Sequence, residues 1–383
     1  MAHNNTVIAQ FMKLVPRHEF ESLAKQHHRG RSFRKASRWD QFVALTFAQL
    51  AGRHSLRDII SSLSTQAHRL YHVGSRLLTK TTLSRINNDK PYQLYESLFG
   101  KLLQRSQSLT PSHKFRFKNP LYALDSSTID LCLSVFPWAE FRSTKSGVKL
   151  HVGLNQQGMI PEFVQITEAN VHDVNIARRL DLPAGSIVAM DRAYNDYGLY
   201  KSLTDKEISF VTRLKTNAKY RVVERRGVLF SKGLTSDQTI EFTGQLTAQK
   251  CPIPLRRIGY RDPETGKHYV FLTNNFSLAA KTIADIYKSR WEVELFFKWI
   301  KQNLKIKKFF GASKNAVMTQ IWIAMCVYLL LSIIKFQSGL QASLQKIYRL
   351  LQTNLFDKRN LIELLRGDPV RPDDSEQKQL AWF

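Results

Sequence analysis

Residues 121–128 read LYALDSST and residues 147–155 read GVKLHVGLN, and the change of hydrophobic period that begins here decides the fold. In the second stretch Val148, Leu150, Val152 and Leu154 fall on one face and Lys149, His151 and Asn155 on the other, the two-residue repeat of a β-strand. In the first, an apolar run from Leu121 to Leu124 leads straight into Asp125. A third strand is expected over residues 159–167. Helix 172–180, strand 186–190, helix 197–205 and strand 209–214 then follow in the alternating rhythm of an α/β sheet.

Upstream, residues 1–115 read as helical, with amphipathic stretches at 39–50 (WDQFVALTFAQL) and 91–103 (PYQLYESLFGKLL). Residues 25–38 (KQHHRGRSFRKASR) carry six Lys or Arg and two His with no acid. They read as a phosphate-contacting arm, with Arg31, Arg34, Lys35 and Arg38 as the contacts, or else as a solvated basic loop. Residues 77–87 (LLTKTTLSRIN) are expected to open a recognition helix capped by Thr79 or Thr81. Downstream, residues 216–278 break into short strand candidates separated by Gly, Pro and Asp-Pro signals, a mostly β insertion. Long helices return from about 278 to 336, and a polar tail follows.

The 57 Lys and Arg against 31 Asp and Glu leave a net charge of +26, so a polyanion is the expected partner. Nucleic acid is favoured over a membrane surface or an acidic protein. The apolar run 321–334 is shorter than the roughly 18 to 20 residues a bilayer needs and reads as a buried helix. The first residues lack the layout of a signal peptide. Cys132, Cys251 and Cys326 are scattered, which suggests neither a disulfide framework nor a zinc cluster and fits a reducing compartment such as the cytoplasm. No phosphate-binding glycine loop and no G-x-S-x-G frame is present, which argues against nucleotide hydrolysis and serine chemistry.

The candidate chemistry is carboxylate chemistry. Asp125 and Asp191 each follow an apolar run, Leu121–Leu124 and Val188–Met190, and so emerge where a strand leaves the core; taken singly, an Asp in that place is as readily a turn former. Tyr287, Arg290, Glu294 and Lys301 fall within about a 60° arc if they share one helix. Ile286, Val293, Phe297, Ile300 and Leu304 form a stripe beside them, able to seat that helix against a sheet. By spacing alone the polar arc could equally be an exposed charged face.

The spacing Tyr287-x2-Arg290-x3-Glu294-x6-Lys301 resembles the Y-(2)-R-(3)-E-(6)-K signature of the hairpin-forming DDE transposases of the insertion-sequence-four family. Asp125 in LDSST and Asp191 in MDRAY resemble that family's first and second catalytic aspartates. The interval from Asp191 to Glu294 is long enough for its β insertion. Thr167, His172 and Asp173 in ITEANVHD resemble a further family segment whose part would be positioning.

The resemblance implies an α/β fold with a ribonuclease-H-like mixed sheet flanked by helices. Its parts would be a helical DNA-binding domain (1–115), the catalytic core (116–215 and 279–340), the β-rich insertion (216–278), and a C-terminal helical segment with a polar tail (341–383). It implies Asp125, Asp191 and Glu294 as catalytic ligands of two Mg²⁺ or Mn²⁺ ions, with Asp125 bridging. Tyr287, Arg290 and Lys301 would be DNA contacts, and the partners terminal inverted repeats, target DNA and a second copy of the chain, with no membrane. One departure stands out: relatives hold a flipped base with a Trp in the insertion, and none lies between Trp138 and Trp291. Tyr260, Tyr269 or Phe271 could stack instead, while Trp291 reads as a packing residue. A ribonuclease-H-like resolvase or repair endonuclease, or an inactive DNA-binding remnant or regulator, would use many of the same features.

Overall fold

The computed structural model describes residues 5–142 and 145–369. The chain divides into two compact units, Met1–Leu109 with Ile300–Phe383, and Thr110–Trp299.

The second unit is built on a mixed sheet. Its centre is β1 (Leu121–Leu131), whose first four residues are buried on both faces because helices pack above and below the sheet there. After β2 (Glu140–Arg142), β3 (Lys145–Asn155) runs antiparallel to β1, and β4 (Ile160–Glu168) antiparallel to β3. On the other edge of β1, β5 (Ile187–Met190) runs parallel to it, and β6 (Ser209–Arg213) parallel to β5. The order β4-β3-β1-β5-β6, with β3 reversed between its neighbours, is the ribonuclease-H-like arrangement.

The stretch after β6 continues this sheet. β7 (Tyr220–Arg226), β8 (Leu234–Phe242), β9 (Leu255–Arg261) and β10 (His268–Thr273) form an antiparallel series, and β10 pairs with β6. The otherwise open edge of the parallel strands is thereby covered.

Helices cover both faces. On one, Leu121, Ile187, Ala189 and Val211 pack against Ile283, Ala284 and Ile286 of helix Ala280–Ser289. On the other, Tyr122, Leu124, Val188 and Met190 pack with Tyr194 and with Leu199, Tyr200 and Leu203 of helix Tyr197–Asp205. The helix expected over 172–180 is shorter, Asp173–Ala177. The alternation in β3 holds, but its polar face is covered too: His151 and Asn155 are buried along with Val148, Leu150, Val152 and Leu154.

The first unit is helical. Its long helix Lys314–Gln337 is apolar on all sides, and such a helix needs burial on all sides. Helices Gln93–Gln107, Arg38–Leu50 and Lys80–Asp89 supply that burial. The run 321–334 is therefore a core helix, although Lys314–Gln337 is long and apolar enough to span a membrane. By its packing it groups with the amino-terminal helices, where the sequence assigned residues up to 340 to the catalytic core. Helices Leu344–Asn354 and Leu361–Arg366 follow; the polar tail from residue 370 lies outside the described residues.

Candidate active site

The site begins with a register. β1 and β5 pair in parallel, and their last paired residues are Leu124 and Met190. Asp125 and Asp191 are the next residues on each strand, at the same end of the sheet and on the same face, with strands about 4.8 Å apart. This is the carboxyl end of the parallel strands, where α/β sheets characteristically hold their ligands.

The covering helix completes the group. Because Ile283, Ala284 and Ile286 seat Ala280–Ser289 on the face that carries both aspartates, its last turn arrives above them. The Tyr287 hydroxyl lies 3.3 Å from Asp191 Oδ1. Arg290 donates through Nη1 to Asp125 Oδ2 at 3.2 Å and through Nη2 to Glu294 Oε1 at 2.7 Å. Backbone amides steady the aspartates: Ser126 N–H donates to Asp125 Oδ1 at 2.8 Å and Arg192 N–H to Asp191 Oδ1 at 2.7 Å.

Tyr287 and Glu294 do not share one unbroken helix. Ala280–Ser289 ends at Arg290, and Trp291–Asn303 begins after it. At the joint the backbone bonds tighten to three-residue spacing, Arg290 N–H to Tyr287 O and Val293 N–H to Arg290 O, both 3.1 Å. Lys301 lies one heptad beyond Glu294 on the second of these helices, past the division between the units. The apolar residues Ile286, Val293, Phe297, Ile300 and Leu304 are all buried, and of these Ile286 packs in the cluster that covers the sheet.

The electrostatics mark Asp125 as the stressed member. Burial pushes its carboxyl up, the Ser126 amide and Arg290 pull it down, and the charges of Glu294 and Asp191 push it up again, leaving it at about 6. Arg290 loses hydration by burial but gains more from Glu294, Tyr287 and the aspartates, so its affinity for its proton rises. Burial also raises the Tyr287 phenol, keeping it a hydrogen-bond donor.

Among the described residues no three His, Cys, Asp or Glu side chains are gathered closely enough to enclose an ion as they stand. What lies between Asp125 and Glu294 is the Arg290 guanidinium, itself a cation. The donors fit a divalent metal nonetheless: they are hard carboxylate oxygens, and a buried carboxylate strained by its acidic neighbours is what a doubly charged ion relieves.

Beside this group an aromatic cavity of about 310 Å³ is lined by Arg213, Tyr260, Tyr269, Phe271, Tyr287 and Trp291, among others. Tyr269 and Phe271 are parallel, 7° between planes, and the Arg213 guanidinium lies 5.4 Å from the Tyr269 ring centre. Of the three aromatics singled out in the insertion, Tyr260 and Phe271 belong to the core and Tyr269 is half-buried. Trp291, expected to pack, is 56% exposed instead, because it starts its helix on the side away from the apolar stripe.

In the first unit, Arg31, Arg34 and Lys35 are exposed. Arg38 donates to the Pro91 carbonyl at 2.8 Å and lies over the Tyr95 ring. The loop that carries the other three is anchored from inside: buried Lys90 donates to the carbonyls of Arg29 and Arg31 at 2.7 and 2.5 Å, and Phe33 lies against both Lys90 and Arg85. Thr79 caps helix Lys80–Asp89 by accepting from Thr82 N–H. Lys90 escaped the sequence reading, since a lysine after a helix carries no sign of burial.

A ribonuclease-H-like sheet with carboxylates at the ends of adjacent parallel strands and a third on the helix that follows the covering one defines a class of nucleic-acid phosphodiester chemistry. Within it this chain belongs to the DDE transposase family: the transposase DDE domain matches residues 116–330, and a domain of unknown function matches residues 3–76. It is 31% identical over 294 residues to a Sinorhizobium fredii protein named as a transposase, covering 76% of this chain and 81% of that one. It is 30% identical over 253 residues to a Geobacillus stearothermophilus protein named as the transposase of insertion sequence element IS5377, covering 66% of each. A solved synaptic complex of piggyBac transposase with hairpin DNA aligns with 98% of this chain and 82% of its own at a TM-score of 0.47 and 11% identity. The chain is thus an insertion-sequence transposase of the DDE type, a metal-dependent enzyme class.

Proposed function

We propose that this transposase frees its insertion sequence from flanking DNA and joins the liberated 3′ ends to a target, with Asp125, Asp191 and Glu294 as the ligands of two Mg²⁺ or Mn²⁺ ions. The observation that carries the reading is the parallel register that ends at Leu124 and Met190, because it makes Asp125 and Asp191 neighbours regardless of side-chain rotamer.

Divalent ions bound there would supply Lewis-acid chemistry: activation of a water for attack on a phosphodiester and neutralisation of the departing 3′ oxygen. Asp125, Asp191 and Glu294 would hold the ions through their carboxylate oxygens. Arg290, released from Asp125 and Glu294, has a planar fork that matches a phosphate, and Tyr287 has one donor to offer beside it. Lys301 would hold a further phosphate. The freed 3′ hydroxyl then attacks the opposite strand, forming one phosphodiester as another breaks, which leaves a hairpin. After the hairpin is opened by water, the same hydroxyl attacks target DNA. Tyr269 offers a ring face for a base drawn out of the stack, with Arg213 above it.

Arg31, Arg34 and Lys35 would contact the phosphates of the terminal inverted repeats. Two ends must be held together, so the working form is a homodimer, acting on nucleoid DNA in the bacterial cytoplasm.

The test is cleavage of end-bearing duplexes in Mn²⁺, followed by joining of pre-cut ends to a target plasmid. Asp125→Ala, Asp191→Ala and Glu294→Ala should each abolish cutting while end binding survives. An active single variant removes that residue from the site. Cutting without joining makes the chain a nuclease of the same fold.

A further inference from the structure

The helix that carries Glu294 and Lys301 ends at Asn303, and the chain crosses residues 304–313 without regular structure before helix Lys314–Gln337 begins. The crossing reads LKIKKFFGAS, with three lysines, two phenylalanines and no acid. Such connections are ordinarily among the more mobile parts of a fold. This one is pinned from beneath by two buried glutamines. Gln320, 2% exposed on the long buried helix, donates through Nε2 to the carbonyls of Lys305 and Lys308, the latter at 2.8 Å, and accepts from Phe310 N–H at 2.9 Å. Gln49, also buried, accepts from Lys305 N–H at 2.6 Å, and Ile306 is buried beside it in the chain. A buried amide is tolerated where its hydrogen bonds are made. Here those bonds fix the backbone on which Lys307 and Lys308 stand exposed.

Phe309 and Phe310 of this loop help to line a cleft of about 390 Å³ whose other walls include His54, Arg57 and Lys80, with no Asp or Glu among the lining residues. Lys80 is the first residue of helix Lys80–Asp89, where the helix dipole adds to its positive charge. The acid of the neighbouring helix, Asp58, is taken up by His54 N–H at 2.9 Å and by Arg53 at 3.5 Å. Burial, and after it the charge of Lys308, lowers the pKa of the Lys305 ammonium, a crowding of cations that an anion would relieve. All of these residues belong to the first unit.

We propose that loop 304–313, with Arg57 and Lys80, is a second DNA-contacting surface, separate from the loop 25–38, and that it takes phosphates of a duplex backbone. The inference rests on the reading of this chain as acting on DNA and is independent of the metal ligands. Lysines on phosphates set position and carry no base information, so what the site needs is a backbone already in place. The pinned loop supplies that, because little conformational freedom is left for binding to remove. The duplex bound there is either the end of the insertion sequence or the target, whose backbones are chemically alike.

The test uses the full chain in EDTA, so that binding is read apart from cleavage. The variants are Lys307→Ala with Lys308→Ala, Lys80→Ala, and a control, Lys346→Ala with Lys358→Ala, which removes the same charge from exposed positions elsewhere in the unit. An end-bearing duplex is titrated at several salt concentrations, and a target duplex is then titrated into the preformed complex of protein and end. The loop variant is expected to flatten the slope of log affinity against log salt by about 2, and Lys80→Ala by about 1, with the control at the parental slope. Thermal unfolding should not change. Flattening in the first titration assigns the surface to the end, and flattening in the second alone assigns it to the target. Parental slopes in both titrations, or equal flattening in the control, overturn the proposal. A parent that binds neither duplex sinks the reading of the chain as DNA-acting, and this surface with it.

Discussion

Arg290 reaches Asp125 across 165 residues of sequence, Nη1 to Oδ2 at 3.2 Å, while its other terminal nitrogen holds Glu294 four residues further along its own chain. A guanidinium thus ties the strand-borne carboxylate to the helix-borne one. On the proposed ligand assignment, a metal and Arg290 would answer the same need, to offset the negative charge of Asp125 and Glu294, and would compete for the same oxygens.

That competition makes Arg290→Ala informative. Without ions, the variant leaves Asp125 and Glu294 facing each other, and because both are partly solvated we expect a loss of about 1–3 kcal/mol rather than the full cost of breaking a buried pair. With Mn²⁺ present, the ion no longer has to displace a cation, so the rise in unfolding temperature on adding Mn²⁺ should be larger in the variant than in the parent. Calorimetry in EDTA and in Mn²⁺ measures both, and an equal or smaller rise in the variant removes Arg290 from the competition.

Asp125 gives a pH dependence of defined sign. Its folded carboxyl stands at about 6, above the ordinary value of 3.8. The folded state therefore binds that proton more tightly than the unfolded chain. The stabilising contribution is fully present below about pH 4 and is lost as pH rises through about 6. Asp125→Asn, which cannot ionise, should therefore be more stable than the parent at pH 7.5 in EDTA, by an amount of order 1–3 kcal/mol, and close to it at pH 4. Urea denaturation at the two pH values measures the difference; a variant less stable at pH 7.5 contradicts the assignment.

These two predictions concern residues that were legible to different degrees. The strand endings before Asp125 and Asp191 could be read because period two and a terminal carboxylate are local features. Their adjacency could not, since which strand pairs with which, and in what register, is decided by burial across the whole sheet. Arg290 stood out by its spacing from Tyr287 and Glu294, yet the break in the helix at Arg290 was invisible, and with it the exposure of Trp291. Asp173 was noticed, but its approach to His151 Nδ1, 3.3 Å, depends on a strand and a helix start that meet only in the folded sheet. The run 321–334 was recognised as a buried helix from its composition, which said neither that the helix extends over Lys314–Gln337 nor which helices would bury it.

Lys301 separates binding from chemistry. It lies seven residues after Glu294 on the helix Trp291–Asn303, and the proposed role gives it a phosphate of the end being cut. Lys301→Ala is expected to reduce hairpin formation and strand transfer at least tenfold more than end binding, an amount equal to about 1.4 kcal/mol of selective loss. Gel-shift and strand-transfer assays on the same end substrate make the comparison. Equal losses in the two would argue against a clamp near the scissile bond.

Lys90 and the loop it anchors should behave differently from each other in salt. The Lys90 ammonium is buried on two carbonyl oxygens and is not available to a phosphate, whereas Arg31, Arg34 and Lys35 are exposed. Each phosphate neutralised by a protein cation contributes roughly 0.9 to the slope of log affinity against log salt. The triple replacement of Arg31, Arg34 and Lys35 by Ala should therefore flatten that slope by about 3 if all three touch DNA. Lys90→Met keeps the apolar stem but releases the carbonyls of Arg29 and Arg31, so the loop must be ordered anew at each binding event. End affinity should then fall about tenfold, a cost of the size expected for fixing one or two residues, with the slope unchanged because the same phosphates are neutralised in the complex. Titrations of end-bearing duplex at several salt concentrations read both quantities. A triple variant with the parental slope removes the loop from the DNA interface, and a flattened slope in Lys90→Met shows that Lys90 reaches a phosphate rather than organising those that do.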